Sequence, residues 1–376
     1  MGSYETPSWA SGSWSAERPE TIEACVQMLA DVRHDGGRVW PMGGGRHSRR
    51  PPANDVTVLD TRGMDAIRRL DREALVVTVE AGVTVGALAA YVARRGASVC
   101  GWRREHPEAT VGGLLSAWQP VPHALWNGSV REACLGLGAV TGAGDRYRYL
   151  PAPRKASGPD LRFVFIGAEG VYGVVTTATL AVSPPPAARV AWEATDLEPT
   201  QALELASRCA RTGLRAANVL YSGQTRTMRW CFEGSAAVVS HWTAILKAHA
   251  QVHEIELEGY YNPSAGDIRA GADPVAERPN DTSGGVAVWG DLGADGLAGL
   301  PDVCWEHGVL YDLSAHHAAL WLPASKAAHL VEGLEETCQV WWGAQSTGGW
   351  PGLAALKTRL DPAGILPNAV MTKERM

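Results

Sequence analysis

Three consecutive glycines, Gly43-Gly44-Gly45, separate a short apolar run, "GRVWPM" (residues 37–42), from a basic cluster of Arg46, Arg49 and Arg50. Without β-carbons, a backbone can adopt positive φ and approach another group closely, so successive N–H groups can converge on an anion. A phosphate or pyrophosphate suits such a nest. The two best-known phosphate loops are not written here: one needs Lys-Ser/Thr after its second glycine, the other G-x-G-x-x-G opening a helix. Taken alone, "GGGRHS" reads equally as a glycine-rich surface turn between strands.

The surrounding pattern supplies the strands. Residues 19–33, "PETIEACVQMLADVR", carry apolar side chains at near-helical spacing behind a Pro-Glu-Thr entry. Residues 37–42, 55–62 and 74–82 read as strands, and "TVGALAAYVARRG" (84–96) as a helix stopped by Gly96. Residues 132–151 read as a hairpin turning at 142–145, and 173–184 as a β-branched strand. The triple proline Pro184-Pro185-Pro186 then marks a domain boundary. Beyond it, the helix "TQALELASRCARTG" and the strands "TRTMRWCFEG" and "GVLYDLSAHHAALWLP" (308–323) predict an α+β domain. The tail "LAALKTRLDPAGILPNAV" reads as a helix and a proline-bounded turn that rejoins the opening domain. The expected division is 1–186, 187–350 and 351–376.

Composition excludes several classes of partner. With 376 residues and 45% hydrophobic content, the chain can bury a large core and should form roughly two domains. The net charge is −6 with acids and bases interspersed, so no basic stripe for nucleic acid is expected. No apolar run approaches the ~20 residues of a membrane-spanning helix, and "MGSYETPSWASGSWS" lacks a signal-peptide layout. A cytoplasmic protein is expected. The seven cysteines are dispersed and form no C-x-x-C pair, which predicts reduced, mostly buried thiols and no metal site.

Four further stretches accompany the glycine loop in a fixed order: "HPEATVGGLLSA" (106–117), "NGSVREACLGLGAVTGAGD" (127–145), "IGAEGVYGVVTT" (166–177) and "DPAGILPN" (361–368). Together they resemble the PCMH-type FAD-binding domain of the vanillyl-alcohol-oxidase superfamily. The patterns A-T-[IV]-G-G, G-[ST]-[VT]-R and G-[SA]-E-G-x-x-G-[IV]-[IV]-T match as written; Ser48 and Asn368 fall one place late in the first and last motifs. The resemblance implies an α+β fold: a two-subdomain FAD-binding domain followed by an α+β cap that binds substrate.

Carried over by position, the resemblance makes Met42, Gly43, Gly44, Gly45, Arg46, His47 and Ser48 the pyrophosphate loop. Pro107, Ala109, Thr110, Gly112 and Gly113 become the second contact, and Gly167, Glu169, Gly170, Gly173 and Val174 the adenine and ribose side. Thr110 and Glu169 have an alternative as plain turn or cap residues, and Arg46 as a solvated arginine. Some relatives tether FAD through a histidine, but Arg46 occupies that position here and His47 follows it, and Cys100 lies well upstream of the other known tether point. Non-covalent FAD is expected.

Two branches are similar: residues 153–182 look like the alkyl-dihydroxyacetone-phosphate synthase and D-lactate dehydrogenase side, residues 109–145 like the glycolate oxidase FAD-binding subunit. The histidine-rich loop of the first side is absent from 341–352, so its ether-lipid and metal-assisted chemistries are not expected. The resemblance implies an FAD-dependent oxidoreductase that oxidises a CH–OH group of a hydroxy acid, sugar or secondary metabolite by hydride transfer to flavin N5, with oxygen or another acceptor reoxidising the flavin. The alternative is a non-catalytic FAD-carrying subunit that passes electrons to a partner subunit. Fifteen tryptophans against three phenylalanines are unusual, and they read as an aromatic substrate pocket or as core packing. If residues 309–321 form one strand, Asp312, Ser314 and His316 share a face. His316 is then the candidate base where that face meets the flavin, with Tyr311 next, and otherwise a surface residue.

Overall fold

In a computed structural model, residues 15–45, 56–100, 107–117, 130–151, 160–261, 285–290, 309–311, 318–323 and 351–367 are described. Three sheets organise them. The first is parallel, in the order β1-β3-β2, from β1 (Ser15–Glu17), β2 (Arg38–Met42) and β3 (Val56–Asp60). Helix α1 (Ile22–His34) joins β1 to β2; the Thr21 hydroxyl accepts from Ala24 N at 3.0 Å and caps its start. Its buried Cys25, Met28 and Leu29 fall at helical spacing and pack with Val39, Leu59, Val140, Val174, Ile365 and Leu366.

The second sheet is antiparallel and runs β4-β5-β9-β7-β8, with β6 (Ser98–Val99) also pairing β9. Its strands are β4 (Ile67–Asp71), β5 (Val76–Glu80), β7 (Cys134–Val140), β8 (Arg146–Tyr149) and the long β9 (Val174–Ser183). Helix α2 (Val85–Ala93), capped by the Thr84 hydroxyl, buries Val85, Leu88 and Val92. It ends as expected near Gly96, which takes φ +70° while Ala97 N donates to Val92 O at 3.0 Å. The hairpin of β7 and β8 and the strand β9 stand where the sequence placed them. β4 was not anticipated. Its "IRRLD" breaks the alternation because the pairing slips between Ile67 and Arg69, and Arg68 binds the buried carboxylate of Glu80 at 2.7 Å.

After the prolines the chain enters a third, antiparallel sheet of seven strands in the order β13-β10-β12-β11-β15-β16-β14. These are β10 (Ala188–Ala194), β11 (Asn218–Ser222), β12 (Thr227–Gly234), β13 (Glu258–Tyr261), β14 (Gly285–Gly290), β15 (Val309–Tyr311) and β16 (Ala318–Pro323). Two helices, α4 (Pro199–Arg211) and α5 (Ala236–Val252), cover one face, where Leu205, Cys209, Val239 and Leu246 pack with Tyr221, Met228, Trp230 and Phe232. Within the second sheet's span, a short helix α3 (Val111–Ala117) stands between β6 and β7, and the last helix among the described residues is α6 (Pro351–Leu360). Leu356 and Leu360 of α6 pack on the core of the second sheet.

The single strand expected over 309–321 is corrected. The chain reverses between β15 and β16, which pair antiparallel with Val309 opposite Trp321 and Tyr311 opposite Ala319. A period-two face therefore cannot run unbroken from Tyr311 to Trp321. Asp312, Ser314 and His316, expected on one strand face, lie outside the described residues.

Candidate FAD-binding site

β2 and β3 run parallel with Met42 opposite Asp60, so Gly43–Gly45 leave the sheet at its carboxyl end, where ligands of open parallel sheets gather. The loop passes close to a second segment. A β-carbon on Gly43 would lie 2.0 Å from Thr110 Oγ1, and one on Gly44 2.7 Å from the Glu108 carbonyl oxygen. Both distances are below any real contact, so glycine is required by space at these two positions. Of the three glycines, which all allow positive φ, Gly45 alone adopts it, at +70°.

The second segment is itself pinned. Val85 N donates to Ala109 O at 2.8 Å, Val111 N to Val83 O at 2.9 Å, and Gly112 N to Ala81 O at 2.8 Å. The Thr110 hydroxyl accepts from Gly113 N at 3.2 Å, while Gly86 N donates to Pro107 O at 2.8 Å. Thr110 thus both caps its own turn and meets Gly43.

The third stretch joins the same place. Gly167 N donates to Leu115 O and Glu169 N to Ser116 O, each at 2.9 Å, which ties it to α3. Gly167, Glu169 and Gly170 all take left-handed φ, at +79°, +48° and +83°. A β-carbon on Gly170 would sit 3.1 Å from Pro41 Cγ, one residue before Met42. Gly173 begins the descent into β9, where a β-carbon would meet Phe165 Cε1 and Val140 O at 2.8 Å. Val174 is buried against α1, and Tyr172 is buried in the core of the second sheet, which pushes its phenol above the ordinary range.

Most predicted cofactor positions therefore meet: Met42–Gly45, Pro107–Gly113 and Gly167–Gly170 adjoin one another through Thr110, Glu108 and Pro41. Arg46, His47, Ser48, His316 and Asn368 lie outside the described residues. Tyr311 stands in β15, paired with Leu220 and Ala319.

Several residues at the site escaped the sequence reading. Asp60 is buried at the end of β3 and binds Arg18 Nε at 2.7 Å and Arg62 Nε at 2.9 Å. Both guanidiniums thus hold the Asp60 carboxylate at the end of the strand that pairs with Met42. Thr61 Oγ1 donates to Met42 O at 3.3 Å, and a β-carbon on Gly82 would lie 2.3 Å from Thr61 O. The signal was available in "LDTRG" and "EAG", whose polar residues and glycines directly follow apolar strands.

A glycine loop on a parallel sheet's carboxyl end, backed by a second small-residue segment, suits an anionic cofactor held mainly by backbone. Comparison with known proteins makes this specific. Residues 16–149 match the family described as "FAD binding domain". Over 132 residues, 35% of this chain and 38% of the other, the chain is 33% identical to the glycolate oxidase subunit GlcE of Escherichia coli (strain K12). Its fold is similar to a solved alkyldihydroxyacetonephosphate synthase, with TM-score 0.73, 14% identity, and coverage of 93% of this chain and 75% of that one. It is also similar to p-cresol methylhydroxylase solved with substrate bound, with TM-score 0.72, 16% identity, and coverage of 93% and 87%.

The chain accordingly carries an FAD-binding domain, and its fold is that of the PCMH-type flavoproteins. At Gly43, Gly44 and Gly112 the room a side chain would need is taken by Thr110, Glu108 and Ala81, so these segments pack closely against one another, and the family match makes FAD their cofactor. The curated relatives are longer than the match, which spans 26% to 38% of GlcE and of the uncharacterized FAD-linked oxidoreductase YgcU of the same strain. Among the described residues, no helix is long and apolar enough to cross a membrane, and no cluster of His, Cys, Asp and Glu could hold a metal.

Proposed function

We propose that the chain is an FAD-dependent oxidoreductase that oxidises a CH–OH group, with a small hydroxy acid as the leading substrate class. The observation that carries this reading is the convergence of Gly43, Thr110 and Gly170 with Pro41 on one loop of an FAD-binding domain. Likeness to a glycolate oxidase subunit supports the hydroxy acid over a sugar or secondary metabolite. When bound, FAD supplies a two-electron acceptor for the substrate's hydride. The chain's own work is to hold the pyrophosphate on the backbone of Met42–Ser48, place the substrate carbon, and accept the hydroxyl proton.

The proposed division is an FAD domain over 1–186, a cap over 187–350 and a returning segment over 351–376. Support comes from the sheets: β1 to β9 build the first two and β10 to β16 the third, while Ile365 and Leu366 pack with Leu29 and Val39. On the cap sheet, Leu220, Arg229 and Glu193 share a row on the face opposite α4 and α5, and Tyr311 pairs with Leu220 in register. Arg229 pairs with Glu193 there. We propose His316, which lies outside the described residues, as the base and Tyr311, in β15, as its substitute. A His316→Asn protein with normal flavin content should show substrate-driven flavin reduction slowed by roughly 10²–10⁴. An unchanged rate returns His316 to a surface role.

FAD is proposed to be non-covalent, because Arg46 and not histidine stands at the tether position. A second reading, an FAD-carrying subunit that passes electrons to a partner subunit, is favoured by the GlcE likeness. We place the protein in the cytoplasm, in keeping with the free thiols at Cys25, Cys100, Cys134, Cys209 and Cys231.

A further inference from the structure

Lys357 and Asp361 stand one helical turn apart at the end of α6, where Asp361 opens the "DPAGILPN" stretch and Lys357 belongs to none of the cofactor motifs. The Lys357 ammonium donates to Asp361 Oδ2 at 2.6 Å, Val171 O at 2.8 Å, Pro367 O at 3.0 Å and Leu366 O at 3.3 Å. Three N–H donors thus face four acceptors, which fixes the ammonium at the centre of a cage. Asp361 is fully buried; Ile365 N donates to its Oδ1 and Leu366 N to its Oδ2, both at 3.0 Å. A β-carbon on Gly142 would lie 2.2 Å from Asp361 Oδ1, so the β7–β8 turn closes over the same carboxylate.

Two ties lead from this cage to the cofactor loops. Val171 follows Gly170, whose backbone rests on Pro41, and Pro41 precedes Met42 and the glycines. Ile365 O accepts from Val39 N at 2.6 Å, so the same turn also grips β2 from its edge. The strand that delivers the glycine loop is therefore held twice by the C-terminal segment.

We propose that Lys357, with Asp361, is a positioning residue for FAD: its ammonium clamps the 167–173 loop and β2 in the spacing the cofactor needs, and so sets flavin affinity. The inference rests on the FAD-binding assignment. A purely structural tie predicts something different, namely a lower unfolding temperature of the apoprotein with unchanged affinity for FAD.

The test is titration of apoprotein with FAD, following quenching of flavin fluorescence, for wild type, Lys357→Met and Lys357→Arg. Methionine leaves the Asp361 carboxylate without its counter-charge, and that variant risks misfolding. Arginine keeps the charge, but a planar guanidinium cannot reproduce the donation of one nitrogen to three carbonyls. Arg208→Ala, which breaks an exposed pair with Glu204 on α4, serves as control. Weakening of FAD binding by roughly tenfold in whichever Lys357 variant keeps native circular dichroism, with Arg208→Ala unchanged, is the expected result. Wild-type affinity in a folded Lys357 variant overturns the clamp, as does misfolding of both variants, which assigns the pair to the fold alone. Wild-type protein that fails to bind FAD overturns the cofactor assignment itself.

Discussion

The Thr110 hydroxyl occupies the space that a side chain on Gly43 would need, with only 2.0 Å between Oγ1 and the position of that β-carbon. Gly43→Ala should therefore push the glycine loop off the 107–113 segment and weaken FAD binding. Thr110→Ala removes Oγ1, leaving Thr110 Cβ at 3.2 Å, so the double variant should recover part of the lost affinity. Coupling of about 0.5–3 kcal/mol between the two substitutions is the expected size. Strict additivity, measured by FAD titration of the four proteins, would remove the contact from the account.

Gly44→Val should abolish FAD binding, since its β-carbon would lie 2.7 Å from Glu108 O and the backbone cannot yield without moving the pinned segment. Cys209→Ser, on the buried face of α4 in the cap core, should leave flavin content unchanged. Flavin content of the two purified proteins checks both.

Glu169 separates a turn role from a ligand role. At φ +48° a side chain costs about 1 kcal/mol relative to glycine, so Glu169→Gly should leave the apoprotein with a higher unfolding temperature than Glu169→Ala. If the carboxylate also holds the cofactor's ribose, FAD affinity falls in the same variant. Unchanged affinity confines Glu169 to the turn.

These sites show which parts of the architecture local sequence carries. Residues 84–96 and 132–151 announced their helix and hairpin because capping threonine, terminal glycine and β-branched alternation act locally. The motifs around Gly43, Thr110 and Gly170 were legible for the same reason. Asp60 and Thr61 were not, since their importance comes from the lateral pairing of β3 with β2. Lys357 likewise reads as an ordinary surface cation of an amphipathic helix until Val171, 186 positions away, is brought against it. Residues 309–321 misled through period-two alternation across a chain reversal that only the pairing of β15 with β16 reveals.

Burial pushes the thiols of Cys25, Cys134 and Cys209 up to about 12. Each folded value exceeds the unfolded value of 9.0, so the folded state retains these protons longer. Their stabilising contribution is complete below pH 9.0 and is lost as pH rises toward 12. Thermal unfolding should accordingly fall steeply over that alkaline window. At neutral pH the native protein should resist alkylation at all three, read by peptide mass spectrometry, and modification without unfolding would contradict the burial.

With Arg46 at the tether position, acid precipitation of the yellow protein should release its flavin into the supernatant. Fluorescence that stays with the denatured band in a gel would require a covalent link.

The most direct test of the oxidoreductase assignment is anaerobic mixing of the purified holoprotein with a panel of hydroxy acids and sugars, following the visible absorption of the flavin. Bleaching by at least one hydroxy acid, reversed on admitting an acceptor, is the predicted result. Flavin that stays oxidised with every compound, yet is reduced by a partner subunit, would contradict it and leave the chain as an electron carrier.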